Sequence, residues 1–194
     1  MVSKWISISA LSLGLWCGSA LAGTPQAGES EADLGQALAA ATWPADISRL
    51  AGLYLDRYPQ AAGADAARRL QQQAATPETI LQRSDVRLYR RAFAVSASTP
   101  PELSSDIHQA ALGDHAAAMR VAQSHRLGER GAAKDAKLSL GWLQYAAVLG
   151  NDQAAYDLAV YFRQQDQPAV ASRYEALAVA LNHPLPTVLD HVRK

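Results

Sequence analysis

The sequence predicts an all-α protein made of stacked antiparallel helical hairpins, an α-solenoid, on two observations. The first is an internal repeat, in which Leu112-Gly113-Asp114 recurs as Leu149-Gly150-Asn151 and the following alanine pairs recur in step. A fixed period of roughly 20–50 residues is typical of helical arrays, whose units bury their apolar faces against one another. The second is composition: alanine, the best helix former, is the commonest residue, and β-branched residues are too scattered for strands.

Residues 1–22 are predicted to be a cleaved secretory signal. Lys4 supplies a positive start, the run from Trp5 to Ala22 carries no charge, and Ala20-Leu21-Ala22 places small residues where a signal peptidase reads. Cleavage near Ala22 would make the protein periplasmic or secreted, with no stable insertion in a membrane.

Two alternatives stay open for this segment. An uncleaved anchor is one, since the uncharged run could nearly span a bilayer. Lipidation of Cys17 is the other, although Trp16 stands where bacterial lipoproteins carry a small residue. From Gly23 onward the chain contains no cysteine, so it offers no disulfide and no thiolate.

Charge argues against nucleic acid as a partner. The chain has 18 basic and 18 acidic residues, and its formal net charge is zero. Nucleic-acid-binding domains and proteins of anionic membrane surfaces usually carry a basic excess.

Residues 23–96 are predicted to be an N-terminal helical segment of tetratricopeptide-like hairpins. Within it, Thr76 and Pro77 form a helix-start signal, because proline suits the first helical position and threonine can cap it. Arg83, Arg87, Arg90 and Arg91 would then lie on one helix, as an anion-attracting stripe or, the favoured interpretation, as a solvated face. The predicted helices cover 31–42, 44–58, 61–75 and 76–95.

Residues 102–194 are predicted to be the repeat array. The Ser, Thr and Pro residues of 96–101 cannot continue a helix and mark the boundary, although this stretch could equally be a loop inside one continuous superhelix. Gly113 and Gly150 are predicted helix stops, each followed by a cap for the next helix. The predicted helices cover 102–112, 114–127, 135–149, 151–163 and 168–181, with a capping helix over 184–193.

The array resembles the Sel-one-like repeats, a subclass of the tetratricopeptide superfamily. In that pattern an Asp precedes a Trp by seven positions, an aromatic-Ala-Ala-x-x-Gly stop follows, and Ala and Leu come next. The matching residues here are Asp135, Trp142, Tyr145, Ala146, Gly150, Ala154 and Leu158, with Gly113 as the preceding stop. Departures include Arg130 in place of a second Gly and His125 in place of a Tyr. The resemblance implies a superhelix whose relatives act as adaptors in envelope assembly, secretion and polysaccharide export.

No residue cluster in the sequence carries recognisable chemistry. The five histidines lack the spacing of metal ligands, no Gly-x-Ser-x-Gly elbow occurs, and no phosphate-binding loop is present. We therefore expect no catalytic residue, no metal and no cofactor.

The remaining candidate site is a surface. Superhelical stacks present their first helices on a concave side, and the residues there outside the packing pattern include Tyr, Met and Arg, which are favoured at interfaces. Ordinary solvated surface is the alternative interpretation. The candidate partner-binding residues are Met119, Arg120, Gln123, Tyr156, Asp157, Val160 and Tyr161.

The sequence thus favours a periplasmic, non-enzymatic adaptor that holds a protein partner, for instance in envelope assembly, secretion or toxin immunity. A second hypothesis is the binding part of an envelope or peptidoglycan-active hydrolase. A third is a structural element that stacks end to end with itself.

Overall fold

The computed structural model describes residues 30–184, which form eight α-helices, one 3₁₀ helix and no strand. The all-α prediction is therefore confirmed for this part of the chain. The predicted signal segment and the predicted capping helix lie outside the described residues. The helices are α1 (Glu31–Ala40), α2 (Pro44–Arg57), α3 (Ala64–Leu81), the 3₁₀ helix (Arg90–Phe93), α4 (Pro101–Ala111), α5 (His115–Leu127), α6 (Ala136–Val148), α7 (Asp152–Gln164) and α8 (Pro168–Ala180).

The main helix–helix contacts join neighbours along the chain. Helix α2 packs on α1 and α3, and each helix from α4 to α7 packs on the next. None of the helices within residues 30–184 combines the length and the apolar character needed to cross a bilayer.

The two predicted stop-and-start devices of the repeat have the predicted geometry. Gly113 and Gly150 take positive φ values of 95° and 108°, a region that costs other residues strain. Asp114 then caps α5 by accepting hydrogen bonds of 2.8 and 2.9 Å from backbone amides of its first turn. Asn151 caps α7 in the same way at 2.8 Å. Local chemistry thus sets where these helices end and begin.

Alanine at Gly150 should measure the backbone strain alone. An added Cβ at Gly150 meets nothing within 4 Å, so we expect Gly150→Ala to lower the free energy of unfolding by about 1–3 kcal/mol, the cost of a left-handed non-glycine residue. Gly131 also has a positive φ, but its Cβ would overlap the Pro100 ring, so Gly131→Ala should cost more. Urea denaturation checks the order, and equal losses would contradict it.

Helix α3 corrects the predicted break at residue 76. It continues through Pro77, which lies inside the helix rather than at a first position. An internal proline costs a helix about 3 kcal/mol, but this ring is fully buried and packs against the turn at Gly113. Tertiary burial outweighs the local start signal that Thr76 and Pro77 present.

The predicted helix over 76–95 is also wrong beyond Leu81. Residues 82–85 form turns and a bend, residues 86–89 lie outside any helix with Tyr89 in an extended conformation, and only Arg90–Phe93 form a 3₁₀ helix. Val86 and Leu88 are buried, while the residues between and after them are exposed. That alternation has the two-residue period of an extended chain, not the period of a helix.

Helix α6 explains why this segment is not helical. The backbone of Arg87 passes directly over Gly141, where an added Cβ would lie 2.7 Å from the Arg87 carbonyl oxygen. The Arg87 amide donates to Gln144 Oε1 at 3.2 Å. A side chain at position 141 would push the segment off the helix, and the side-chain amide replaces the hydrogen bond that a helix would have provided.

The four arginines of this region are all exposed, as the favoured interpretation expected, but they do not share one helix, so the alternative, an anion-attracting stripe on a helix face, is not present. Arg83 forms an ion pair with Asp85 at 2.6 Å, and Arg90 pairs with Asp46 on α2 at 2.6 Å. The Arg83–Asp85 pair is exposed on both sides, and such pairs contribute little to stability.

An aromatic cluster joins the N-terminal helices to the array. Phe93 lies 4.6 Å from Trp142, 5.2 Å from Trp43 and 5.8 Å from Tyr145, measured between ring centroids. Phe93, Trp142 and Tyr145 are all completely buried. The core therefore crosses the stretch 96–101, and the domain boundary placed there stays a prediction.

Candidate functional site

A groove of about 520 Å³ lies between α5 and α7, with α6 as its floor. Helices α5 and α7 each pack on α6, and residues of all three helices line the groove. The groove is open to solvent and lined mostly by apolar side chains. The lining residues are Met119, Ala122, Gln123, Arg126, Ala136, Ser139, Leu140, Leu143, Tyr156, Asp157, Val160, Tyr161 and Gln164.

The structure brings six of the seven candidate partner-binding residues together in this groove. Met119 and Gln123 lie on the α5 wall. The α7 wall carries Tyr156, Asp157, Val160 and Tyr161. None of the six lines the second cavity, of about 260 Å³, near residues 91–99.

Arg120 lies apart from the groove. Its guanidinium faces α4, where Nε donates to Asp106 Oδ1 at 2.9 Å and Nη2 donates to Gln109 at 3.3 Å. Asp106 raises the pKa of Arg120 by hydrogen bonding to its charged form.

The floor of the groove was missed by sequence reasoning, which considered only the first helix of each hairpin. Leu140 and Leu143 are half-buried, whereas Trp142 and Tyr145 on the other side of α6 are completely buried. A helix that is apolar all round is usually buried all round. The apolar character of α6 on every side was therefore the available signal.

The two polar residues of the buried α6 surface already have partners. Ser139 Oγ donates to the Ala122 carbonyl at 2.8 Å, and Gln144 accepts from Arg87. Polar groups that are satisfied inside the protein do not need a ligand. What α6 leaves open at the groove is apolar surface.

Tyr156, the first aromatic residue of the α7 wall, packs against another side chain of the protein. The Tyr156 ring stacks on His183 with centroids 4.7 Å apart, and His183 Nδ1 lies 2.9 Å from Asp152 Oδ2. The contact with His183 lowers the pKa of the Asp152 carboxyl. This chain of contacts fixes Tyr156 before any ligand arrives.

The second aromatic wall residue has similar support. Tyr161 is 38 % exposed and meets Phe162 edge-on at 5.2 Å, and Phe162 in turn stacks on Tyr174 of α8 at 5.5 Å. Val160 beside it is 37 % exposed. Both residues present apolar surface on a rigid helix, which lowers the ordering cost of binding.

A second feature is an ion-pair cluster of Asp106, Arg120 and Arg130, which we call the Asp106 clamp. It sets the shape of the turn at the C-terminal end of α5. The buried Asp106 carboxylate binds Arg120 on one oxygen and Arg130 Nη1 on the other, at 2.7 Å. Arg130 has a φ of 54° at the position where the resemblance called for a glycine. The ion pair holds this left-handed residue in the turn after α5.

The predicted repeat residues form the core beneath the groove. Asp135 caps α6 by accepting from two backbone amides at 2.9 Å. The Tyr145 hydroxyl donates to the Ala110 carbonyl at 3.0 Å, and burial raises the pKa of Tyr145. The completely buried members of the set are Trp142, Tyr145, Ala146, Ala154 and Leu158.

Comparison with models of known protein families gives no match, and neither does comparison with characterised proteins or with solved structures. Within residues 30–184, no group of three or more His, Cys, Asp or Glu residues is placed to hold a metal ion.

Proposed function

We propose that this protein is a non-enzymatic adaptor that holds an apolar segment of a partner protein in the groove between α5 and α7. The proposal rests on the apolar residues Leu140 and Leu143 of α6, which are only half-buried and line the groove together with residues of α5 and α7. The proposal includes the periplasmic or secreted location and the Sel-one-like, tetratricopeptide-type solenoid described above.

The lining of the groove supports an apolar occupant. Tyr and Met are enriched in protein interfaces, and charged residues are depleted from interface centres. Arg126 and Asp157 are the charged lining residues, one on each wall. An amphipathic helix that lays its apolar face into a groove is a common recognition mode and would complete the burial of α6.

The packing of the helices supports the solenoid part of the proposal. Contacts run from each helix to the next, and the hairpins α5–α6 and α7–α8 begin at equivalent caps, Asp114 and Asn151. In a stack of such hairpins, α5 and α7 would be successive first helices with a shared concave surface.

Two matched variants test the proposed function. Val160 lies in the groove and is 37 % exposed, whereas Val179 lies on α8 outside it and is 56 % exposed. Both changes to lysine leave the core intact, so the melting temperature should hardly move. We expect Val160→Lys to weaken binding of a captured partner roughly tenfold or more, which corresponds to at least about 1.4 kcal/mol.

The measurement is affinity capture from an extract of the source cells, followed by titration of whichever protein is enriched. Val179→Lys should capture and bind that protein as the unchanged chain does. Equal binding by both lysine variants would reject the groove as the binding site.

A further inference from the structure

The second cavity, of about 260 Å³, lies where four parts of the chain meet. Its walls come from the segment 91–99, from α4, from the C-terminal end of α5 with the turn that follows, and from the start of α6. It shares no lining residue with the groove. At about 30 Å³ per molecule of liquid water, its volume gives room for a ligand of roughly eight non-hydrogen atoms.

Part of the cavity lining is apolar. Leu103 and Ile107 of α4 are buried and line it, as does Ala132 of the turn after α5. Leu138 of α6 also lines it and is half-buried. Because covering apolar surface removes it from water, this lining favours a ligand with an apolar group.

The rest of the lining includes a free cation and no carboxylate. The Arg91 side chain is exposed and has neither an ion pair nor a hydrogen bond with any residue of 30–184. No Asp or Glu lines the cavity. A guanidinium presents parallel N–H groups that match the two oxygens of a carboxylate. The charge of the cavity therefore favours an anion.

The hydroxyl groups of the segment 96–99 have one donor to spare. Ser96 Oγ lies 2.9 Å from Ser98 Oγ and 3.2 Å from Thr99 Oγ1. These two contacts use two of the three hydroxyl hydrogens, since each hydroxyl donates only one. When Ser96 donates to Ser98, the Ser98 hydrogen is left without a partner among residues 30–184. Ser98 and Thr99 both line the cavity, so a second donor is available there.

Two of the walls are held by contacts inside the protein. Phe93, next to the lining residues of the segment 91–99, is completely buried, and its carbonyl accepts from Thr42 Oγ1 at 2.6 Å. His125, which also lines the cavity, is oriented by its Nδ1, which donates to the Ala133 carbonyl at 3.0 Å. A site that is already ordered costs less to fill.

We propose that this cavity binds a small organic anion, a monocarboxylate with a short alkyl group. The carboxylate lies against Arg91 and the spare hydroxyl, and the alkyl group covers Leu103 and Ile107. A free short-chain acid and the C-terminal residue of a peptide share this chemistry. We expect a dissociation constant in the millimolar range, because a ligand of this size makes few contacts. The proposal does not depend on the function proposed for the groove.

A titration with valerate and valeramide tests the charge and the place of binding. The two molecules have nearly the same shape, and only valerate is an anion. Each is added to the isotope-labelled full chain, and the backbone amide signals are followed by NMR. We expect saturable shifts at Ala92 and Ala132, with valeramide about fivefold weaker because it lacks a charge-assisted hydrogen bond. The amides of Met119 and Val160 in the groove should not shift.

A matched pair of arginine variants assigns the charge to one residue. Arg91→Gln should remove the difference in affinity between valerate and valeramide. Arg90→Gln is the control, because Arg90 is adjacent and exposed but pairs with Asp46 and does not line the cavity. It should keep the difference. N-acetylvaline distinguishes the two sources: tighter binding than valerate indicates a peptide end, and weaker binding indicates a free acid.

Three results would overturn the proposal: no saturable shift at Ala92 and Ala132, inorganic phosphate that binds as tightly as valerate, or an acid-to-amide ratio that Arg91→Gln leaves unchanged. Binding of phosphate would show that the apolar lining takes no part. Each of these results leaves the capture experiment with Val160→Lys unaffected, since the cavity and the groove share no residue. The two proposals therefore fail separately.

Discussion

Replacing Trp142 with alanine is expected to lower the free energy of unfolding by about 3–5 kcal/mol, the range for truncating a large aromatic residue in a core. Trp142 is completely buried and contacts Phe93 and Tyr145. The cavity would open where the N-terminal segment meets α6, so both parts of the chain lose packing. The free energy of unfolding of a typical domain is only about 5–15 kcal/mol. Urea denaturation followed by circular dichroism measures the loss.

Two further variants make this result specific. Leu143→Ala changes the next residue of α6, which is only half-buried at the groove floor, so its cost should be clearly smaller. Trp142→Phe keeps an aromatic ring and removes the indole Nε1, which has no hydrogen-bond partner among residues 30–184. It should cost less than Trp142→Ala. A Trp142→Ala loss no larger than that of Leu143→Ala would contradict the shared aromatic core.

The second large loss of stability is expected when Asp106, the centre of the Asp106 clamp, is replaced with alanine. Asp106→Ala leaves two guanidiniums without their buried carboxylate. Breaking a fully buried pair costs about 3–5 kcal/mol, and we expect about 2–3 kcal/mol here, because the arginine side chains reach water and can be rehydrated. Their exposed fractions are 42 % for Arg120 and 31 % for Arg130, against 7 % for Asp106. The loss should appear as a lower urea midpoint with an unchanged slope.

Glu102 provides the matched control for this variant. Its carboxylate is 3.6 Å from Arg130 but 78 % exposed, and exposed pairs of this kind contribute about 0–1 kcal/mol. Both variants therefore remove a carboxylate partner of Arg130. Asp106→Ala removes a buried partner, and Glu102→Ala removes an exposed one. Similar losses for the two would show that the clamp does not hold the turn after α5.

Helix ends in the array were predictable because their signals are local. A glycine stop followed at once by a capping Asp or Asn depends on the chemistry of adjacent residues, and Gly113, Asp114, Gly150 and Asn151 all behave as predicted. Asp135 likewise caps α6. These positions needed no knowledge of distant contacts.

The region from Pro77 to Phe93 was not predictable from local signals. Pro77 looks like a helix start, yet its burial against the turn at Gly113 keeps it inside α3. The following chain is not helical because it crosses α6 at Gly141, a contact between residues far apart in sequence. The alternation of Val86 and Leu88 was the one available hint, and the arginine-rich helical interpretation hid it.

The walls of the groove could be predicted from the sequence, but its floor could not. Its walls followed from the repeat, since α5 and α7 are equivalent helices and their residues outside the packing pattern face one side. Its floor did not follow, because Leu140 and Leu143 belong to α6, and only the first helix of each hairpin was considered as binding surface. Arg120 fell outside the groove because buried Asp106 attracts it toward α4, and a buried carboxylate cannot be recognised from sequence alone.

Site-specific photo-crosslinking inside the source cells would show whether a partner protein contacts the groove. A photoreactive phenylalanine derivative is placed at Val160 in the groove and, in a separate chain, at Val179 on α8. We expect a light-dependent adduct with one defined protein from position 160 and none from position 179. Equal adducts from both positions, or no adduct from position 160, would contradict a protein-binding groove between α5 and α7.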